Sequence, residues 1–273
     1  MEQALIDQAL IDQIVARVVA LVRARMIADA PQRQIAMLFS GASTGYVVGM
    51  EALRLLTGAQ HKVTVGMTAS ALHVIGEDKV RQAGAADIIG PDRWVNAPGI
   101  VWATDVILLP TLSMNTAAHL ALGLMDSLFS TLVLGALLAG KPVIAVRDGA
   151  DPDGNGGLVF SKTRSGAPAL RRTMTGHLAT LQEYGVQLVS EAEFVPAVVR
   201  QVRGDEAATA PPAIGLPVLS LSRNGHNLVI TDGELAAVAP GTMLRLPAGT
   251  RLTPLAHETA GRRGLRLRRW KRR

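Results

Sequence analysis

No cysteine occurs among the 273 residues. Disulfides, thiolate nucleophiles and cysteine-bound metals are thereby excluded. Aromatic residues make up only 3% of the chain and charged residues 18%, whereas 48% of it is apolar. A chain of this balance is either thoroughly buried or oligomeric. Long apolar runs are also missing: the longest apolar region, Ala117 to Gly140, is interrupted by His119, Asp126, Ser127, Ser130 and Thr131. That suits a buried helical segment and not a bilayer span. The start of the chain has neither the basic region nor the cleavage site of a signal peptide, so a soluble, cytoplasmic protein without membrane contact is expected. The six histidines show no metal-ligand spacing. The formal charge of +6 arises from Arg262, Arg263, Arg266, Arg268, Arg269, Lys271, Arg272 and Arg273, without which the protein is mildly acidic. No basic face for nucleic acid is implied, and the tail reads as a solvated, partly disordered terminus.

What the chain does contain is a regular alternation of short apolar runs and helical stretches. Gln34 to Phe39, His61 to Met67, Val106 to Leu109, Val143 to Val146 and Val186 to Val189 read as buried strands, with a shorter candidate at Ala86 to Ile89. They are too short for typical helices, and the runs from Val106 and from Val143 lack polar alternation, which fits a parallel sheet covered on both faces. Helices are expected from about Tyr46 to Leu56, within Ala117 to Gly140, from about Pro168 to Tyr184 and from about Glu191 to Val202. This order predicts an α/β fold, a doubly wound, mostly parallel Rossmann-like sheet over residues 32–203. Residues 1–31 read as an amphipathic helix and linker, with Ile11, Ile14, Val15, Val18, Leu21 and Val22 at helical spacing. Such a helix packs on its own domain or a subunit interface, or it docks in a groove of another protein, and both readings stay open. Residues 204–217 read as a linker and residues 218–273 as a small β-rich region. Within it Val218 to Leu221, Asn227 to Ile230 and Met243 to Leu246 are strand candidates, Thr253-Pro254 marks a helix start and Gly264 its stop.

Chemistry gathers where strands end. Ser40-Gly41-Ala42-Ser43-Thr44-Gly45 follows the first strand, Thr68-Ala69-Ser70-Ala71 the second, and Thr111, Ser113, Asn115 and Thr116 follow Val106 to Leu109. In an open α/β sheet ligands bind in the crevice at these carboxyl ends. Small residues let the backbone approach, hydroxyls donate hydrogen bonds, and free amides at the start of the helix after Gly45 favour an anion such as phosphate. The turn is neither a P-loop, since no Lys follows, nor a full G-x-G-x-x-G. Asp148, Asp151 and Asp153 lie in a glycine-rich stretch with no Glu to close a calcium site, so it reads as a lid near the crevice. Pro91 to Gly99 reads as a loop able to cover a planar ligand, and Trp94 and Trp102 read as core residues.

Over about Gln34 to Val189 these segments resemble the flavoprotein family of homo-oligomeric flavin-containing cysteine decarboxylases, the dipicolinate synthase B subunit and flavin prenyltransferases. Pro110-Thr111-Leu112-Ser113-Met114-Asn115-Thr116 is similar to the family's Pro-Ala-Ser-Ala-Asn-Thr with one extra residue, and Gly123-Leu124-Met125-Asp126-Ser127-Leu128 to its Gly-x-x-Asp-Asn/Ser-Leu. The resemblance implies FMN, with Gly41, Ala42, Ser43, Thr44, Thr68, Ser70, Ser113, Asn115, Thr116 and Asp126 as cofactor-binding residues. The phosphate is expected near Gly41, Ser43, Thr68 and Ser70, and the ring near Ser113 and Asn115. Asn115 is the candidate catalytic residue, orienting the flavin or a substrate. It also implies a homo-oligomer, a trimer or larger. Two departures argue against cysteine decarboxylation: Ala97 stands where the decarboxylases carry a histidine, and their Pro-x-Met-Asn-x-x-Met-Trp segment is absent after Val146. Residues 1–28 resemble peptides that carry enzymes into bacterial microcompartments, which implies a shell protein as partner and the compartment lumen as location.

The expectation is therefore an FMN-binding flavoprotein serving redox chemistry. A flavin-dependent decarboxylase or group-transfer enzyme using His73 or His119 is one alternative, and a non-catalytic assembly module on the same fold is the other.

Overall fold

A computed structural model describes residues 2–160, 167–205, 222–224, 227–230, 235, 243–247 and 250–270. The chain divides into two units, residues 1–211 and 212–273. In the first, six strands form one parallel sheet: β1 (Gln34–Phe39), β2 (Lys62–Met67), β3 (Asp87–Ile89), β4 (Val106–Thr111), β5 (Val143–Val146) and β6 (Val186–Val189). Their order is β3-β2-β1-β4-β5-β6. Adjacent strands run parallel throughout. The chain starts in the middle, winds outward to β3, returns to β4 and winds outward the other way, which makes β1/β4 the switch point where a crevice opens.

Side chains on β1 show why both faces are covered. Ile35, Met37 and Phe39 join one buried cluster with α2 (Tyr46–Gly58) and α10 (Glu191–Arg203), while Ala36 and Leu38 join another with α6 (Met114–Ala121), α7 (Leu128–Leu138) and α9 (Pro168–Glu183). Alternate residues thus bury on opposite faces, and no face of the strand is left for polar side chains. The other helices of this unit are α1 (Glu2–Ala28), α3 (Ala69–Val74), α4 (Glu77–Gln82), α5 (Ala97–Ala103) and α8 (Asn155–Leu158).

Four expectations change. The segment from Ala117 is two helices rather than one: Gly123 takes φ +70°, ending α6, and Ser127 caps α7 by accepting from the Ser130 amide. A left-handed residue followed by a new cap cannot continue one helix. Trp94 and Trp102 are not core residues, being 89% and 75% exposed. Trp94 sits in a loop, and Trp102 follows the inward-facing Val101 on α5, so neither lies on a buried stripe. Thr111 lies within β4 rather than beyond it and is fully buried. The basic tail is in part a strand, as the second unit shows.

That unit has β7 (Ser222–Asn224), β8 (Asn227–Ile230) and β10 (Arg251–Leu252) in one sheet, and β9 (Met243–Pro247) with β11 (Arg266–Trp270) in another. Helix α11 (Pro254–Arg262) begins at Thr253, whose hydroxyl accepts from the Ala256 amide at 3.2 Å, and Gly264 follows its end with φ +63°. Arg266, Arg268 and Arg269 belong to β11, paired in parallel with β9, so they are not a loose terminus. Ile230, Leu235, Leu244, Leu246, Ala256, Ala260 and Leu265 form its core. The strand expected at Val218 to Leu221, the linker from residue 206 to 217 and residues 271–273 lie outside the described residues.

Helix α1 is anchored to the rest of its unit through its last turns. Ile27 is fully buried, Arg23 pairs with Glu51 at 3.2 Å, and His61 holds the chain beyond the helix. The Arg33 amide donates to His61 Nδ1 at 3.1 Å, so the imidazole proton sits on Nε2, 3.4 Å from the Ile27 carbonyl. Burial, chiefly, and then the nearby Arg33 charge hold the His61 pKa below the ordinary histidine value, against the hydrogen bond to Ile27, which raises it. Unfolded chains take up this proton below about pH 6.5 while the folded one still refuses it. Stability is therefore full above that pH and falls as acid is added down to the lowered folded value. A denaturant titration across this range should show the loss, and His61→Gln should flatten it; an identical slope in the variant would remove the assignment to His61.

Candidate functional site

The ends of β1 and β4 are locked together before any ligand enters. The Ser40 amide donates to Thr111 Oγ1 at 2.9 Å, and that hydroxyl donates back to the Ser40 carbonyl at 3.0 Å. Ser40 Oγ donates to the Thr111 carbonyl and accepts from the Ser113 amide at 3.0 Å. Both side chains are thus spent on one another, and Thr111 is a clasp instead of the ligand group expected for it. Beside it β4 carries one extra residue between Leu108 and Thr111 relative to Met37–Phe39 of β1. Pro110, in that interval, has no amide to give to the ladder, which suits a bulge.

Beyond the clasp lies a cavity of about 720 Å³. Gly41, Ala42, Ser43 and Thr44 reach it from β1, Thr68 and Ser70 from β2, Ser113, Asn115 and Thr116 from β4, and Gly149 from β5. Nine of the ten residues expected around a cofactor thus share one cavity, of a volume usual for ligand sites. Asp126 does not join them. It lines a neighbouring hollow of about 330 Å³ with Leu38, Met67, Ile89, Phe129 and Leu132, with Thr68 common to both. There Asp126 lies 3.2 Å from His119 Nδ1 and accepts from Ser130 Oγ at 3.3 Å, and the hydrogen bond from His119, foremost, keeps its pKa below the usual carboxylate value.

Close approach explains the glycines. A Cβ on Gly41 would fall 2.5 Å from the Ser70 Cβ, so the turn after β1 touches the start of α3 only because Gly41 has no side chain. Gly45 caps α2 with φ +87°, and a Cβ there would sit 1.8 Å from the Pro110 carbonyl oxygen. The N-terminus of α2 is not left open to an anion as expected. The Gly45 amide donates to Glu191 Oε1 at 2.6 Å, while the Glu191 amide donates to Asp148 Oδ2 at 2.6 Å. A carboxylate of the protein's own thus takes the positive end of the helix.

The hydroxyls are well prepared to donate. Thr68 Oγ1 accepts from the Ala71 amide at 3.1 Å, which leaves its own proton free to point elsewhere. Ser113 and Thr116 share one hydrogen bond at 2.9 Å, and Ser113 Oγ accepts from the Thr116 amide at 3.2 Å; one hydroxyl proton of the pair remains to be given. The side chains of Ser43, Thr44, Ser70 and Asn115 make no hydrogen bond to the described residues.

The segment after β5 borders the cavity through Gly149, Gly156, Val159 and Phe160. Its acids are engaged: Asp148 with Glu191, Asp151 with the Asp153 amide at 2.8 Å, and Asp153 with Arg171 at 2.6 Å. The loop after β3 does not cover this cavity. Arg93, Val95 and Asn96 line a separate hollow together with Gln34 and Lys62, the first residues of β1 and β2. Neither His73 nor His119 is among the cavity's lining residues; His177 on α9 is, with Leu170, Thr173 and Met174. No pattern around His177 marks it in the sequence beyond the helical spacing of these four positions.

The family model described as Flavoprotein matches residues 25–202. The chain belongs to the flavoprotein family. Among solved structures, this flavoprotein is similar to an FMN-dependent cysteine decarboxylase, TvaF, from thioviridamide biosynthesis, at 23% identity and a TM-score of 0.48 over 64% of this chain and 99% of that one. It is similar to the FMN-binding protein AtHal3 at 17% identity and a TM-score of 0.46, covering 65% of this chain and 100% of that one. A dodecameric FMN-dependent Ubix-like decarboxylase from Escherichia coli O157:H7 matches at 17% identity and a TM-score of 0.45 over 63% and 93% of the two chains. No curated protein matches this flavoprotein. No helix among its described residues is long and apolar enough to cross a membrane.

Proposed function

We propose that this flavoprotein binds FMN in the hydroxyl-walled cavity and serves redox chemistry. One observation carries the reading: three strand ends at the switch point bring glycine, Ser and Thr together around a single cavity of about 720 Å³. In this reading the phosphate lies against Gly41, Ala42, Ser43, Thr44, Thr68 and Ser70, and the ring toward Ser113, Asn115 and Thr116. Bound FMN would supply the electron-accepting ring. The chain's own part is to bind and orient. Gly41 allows the two turns to meet, Thr68 and the Ser113/Thr116 pair each have a proton to donate, and the Asn115 amide offers both donor and acceptor to a flavin edge or a substrate. Val159, Phe160, Leu170 and Met174 give the cavity its apolar wall. Assembly into a trimer or larger belongs to the same reading, supported by exposed apolar side chains such as Val47 at 70% and Leu138 at 84%.

Helix α1 supports a docking role. Leu10, Ile11, Ile14, Val15, Val18, Leu21 and Val22 are each between 50% and 64% exposed, so among the described residues nothing covers the stripe fully. A microcompartment shell protein is the partner this reading assigns to it, and the compartment lumen the location. The cut that tests this ends at Val22, because Ile27 and Arg23 are needed by the first unit.

The visible spectrum of the purified protein, with the mass of any released cofactor, tests the main reading. A yellow protein carrying FMN is expected, and the chain lacking residues 1–22 should keep the colour but lose co-purification with shell protein. Colourless protein that takes up no added FMN would end the flavin reading; unchanged co-purification would end the docking one.

A further inference from the structure

We propose that the second unit binds single-stranded nucleic acid along β11, with arginines serving the phosphates and Trp270 a base. Between Pro212 and Arg273 the chain carries eleven Arg and Lys against three Asp and Glu, a net charge of +8, which leaves −2 for residues 1–211. So sharp a division of charge between two units marks one of them for a polyanion. Ten of the eleven are Arg, whose planar fork takes phosphate oxygens in pairs and stacks on flat rings. Arg266, Arg268 and Arg269 stand in a paired strand, so this charge is held in a fixed row.

Alternation along the strands sorts that row. Leu244 and Leu246 of β9 are buried, and Leu267 of β11 packs against the same core. With a side-chain period of two, Arg266, Arg268 and Trp270 therefore belong to the opposite face, as do Met243, Arg245 and Pro247. Arg268 and Arg245 are direct partners across the pair. Like charges set opposite one another cost stability, and a phosphate shared between them would turn that contact favourable. Glu258, the one acid among the unit's described residues, is already taken by Arg262 at 2.5 Å. Basic residues in line with an aromatic suit a single strand, whose backbone calls for positive charge and whose bases offer flat faces for stacking. A membrane surface fits less well, because it calls for a broad apolar stripe where this face carries three arginines.

Fluorescence anisotropy of a labelled oligothymidylate of about 20 nucleotides, titrated with the full chain at about 50 to 200 mM salt, tests the proposal. Three phosphate contacts should give a log–log salt slope of about −2. Arg268→Gln should weaken binding about tenfold and shrink the slope by about 0.7, whereas Arg268→Lys should keep the slope. Trp270→Ala should weaken binding about tenfold at an unchanged slope, since stacking releases no counterion. No binding at the lowest salt would overturn the proposal. Binding that neither Arg268→Gln nor Trp270→Ala weakens would overturn it too; if deleting residues 271–273 then abolished it, those residues and not the strand would be responsible. Phosphatidylserine vesicles or polyglutamate bound as tightly as the oligonucleotide would reduce the effect to bare charge and equally overturn it. Uptake of FMN by the first unit bears on none of these outcomes.

Discussion

Gly41→Ala should weaken FMN binding about 100-fold, roughly 2.7 kcal/mol, while the sheet stays folded. The added Cβ would lie 2.5 Å from the Ser70 Cβ, where real carbon pairs do not approach, so the turn after β1 and the first turn of α3 must part. Gly41 and Ser70 themselves belong to neither buried cluster, and the clasp between Ser40 and Thr111 is untouched, so the change acts at the cavity's rim. In the proposed reading these groups converge on one phosphate, and a displacement of about 1 Å between them costs about that factor. Riboflavin, which lacks the phosphate, should lose much less. Isothermal titration with both ligands decides the matter: equal losses would mean that the phosphate does not lie between Gly41 and Ser70. FMN affinity unchanged in the variant would place it outside this cradle altogether.

Gly45→Ala should damage the fold itself. The left-handed backbone costs an alanine about 1–2 kcal/mol. The larger cost is the clash, because the Cβ would stand 1.8 Å from the backbone oxygen of Pro110, which the β1–β4 pairing prevents from yielding. Any shift would also break the 2.6 Å hydrogen bond from the Gly45 amide to Glu191 and leave that carboxylate without its donor. Together these should exceed about 4 kcal/mol, a large share of a domain's whole stability. Urea denaturation measures it. A midpoint equivalent to less than about 1 kcal/mol of loss would show that α2 can slide away from β4, contrary to the close packing of Gly49 on the Pro110 ring. Glu191→Gln is the milder companion, since it keeps an oxygen to accept from Gly45 but removes the charge at the start of α2.

Much of the frame was legible from local pattern. Gln34 to Phe39 and Val186 to Val189 are strands at the expected residues, because a run of apolar side chains too short for a helix has few other ways to bury. Hydroxyl and glycine clusters directly after two strands pointed to the end of the sheet where they share a cavity, since a parallel sheet puts all those ends together. The misreadings have a common cause. Trp94 and Trp102 carry no periodicity that tells inside from outside, and Gly123 stops a helix only because its backbone turns left-handed there. Asp126 follows Asn115 and Thr116 closely in the chain, yet the break at Gly123 carries it to the next hollow.

The sequence by itself determined that this protein is a doubly wound α/β flavoprotein with a polar, cysteine-free crevice. Apolar run length and strand-to-helix spacing are local properties, and each repeats independently along the chain. Tertiary structure alone decided which groups face one another in that crevice. Glu191 meets Gly45 across 146 residues of chain and takes the helix end that an anion would otherwise fill. Thr111 closes on Ser40 from 71 residues away and ceases to be a ligand group. His177 enters the cavity because α9 packs on α6. Such meetings depend on how distant elements stack on the sheet, and no local pattern of residues encodes them.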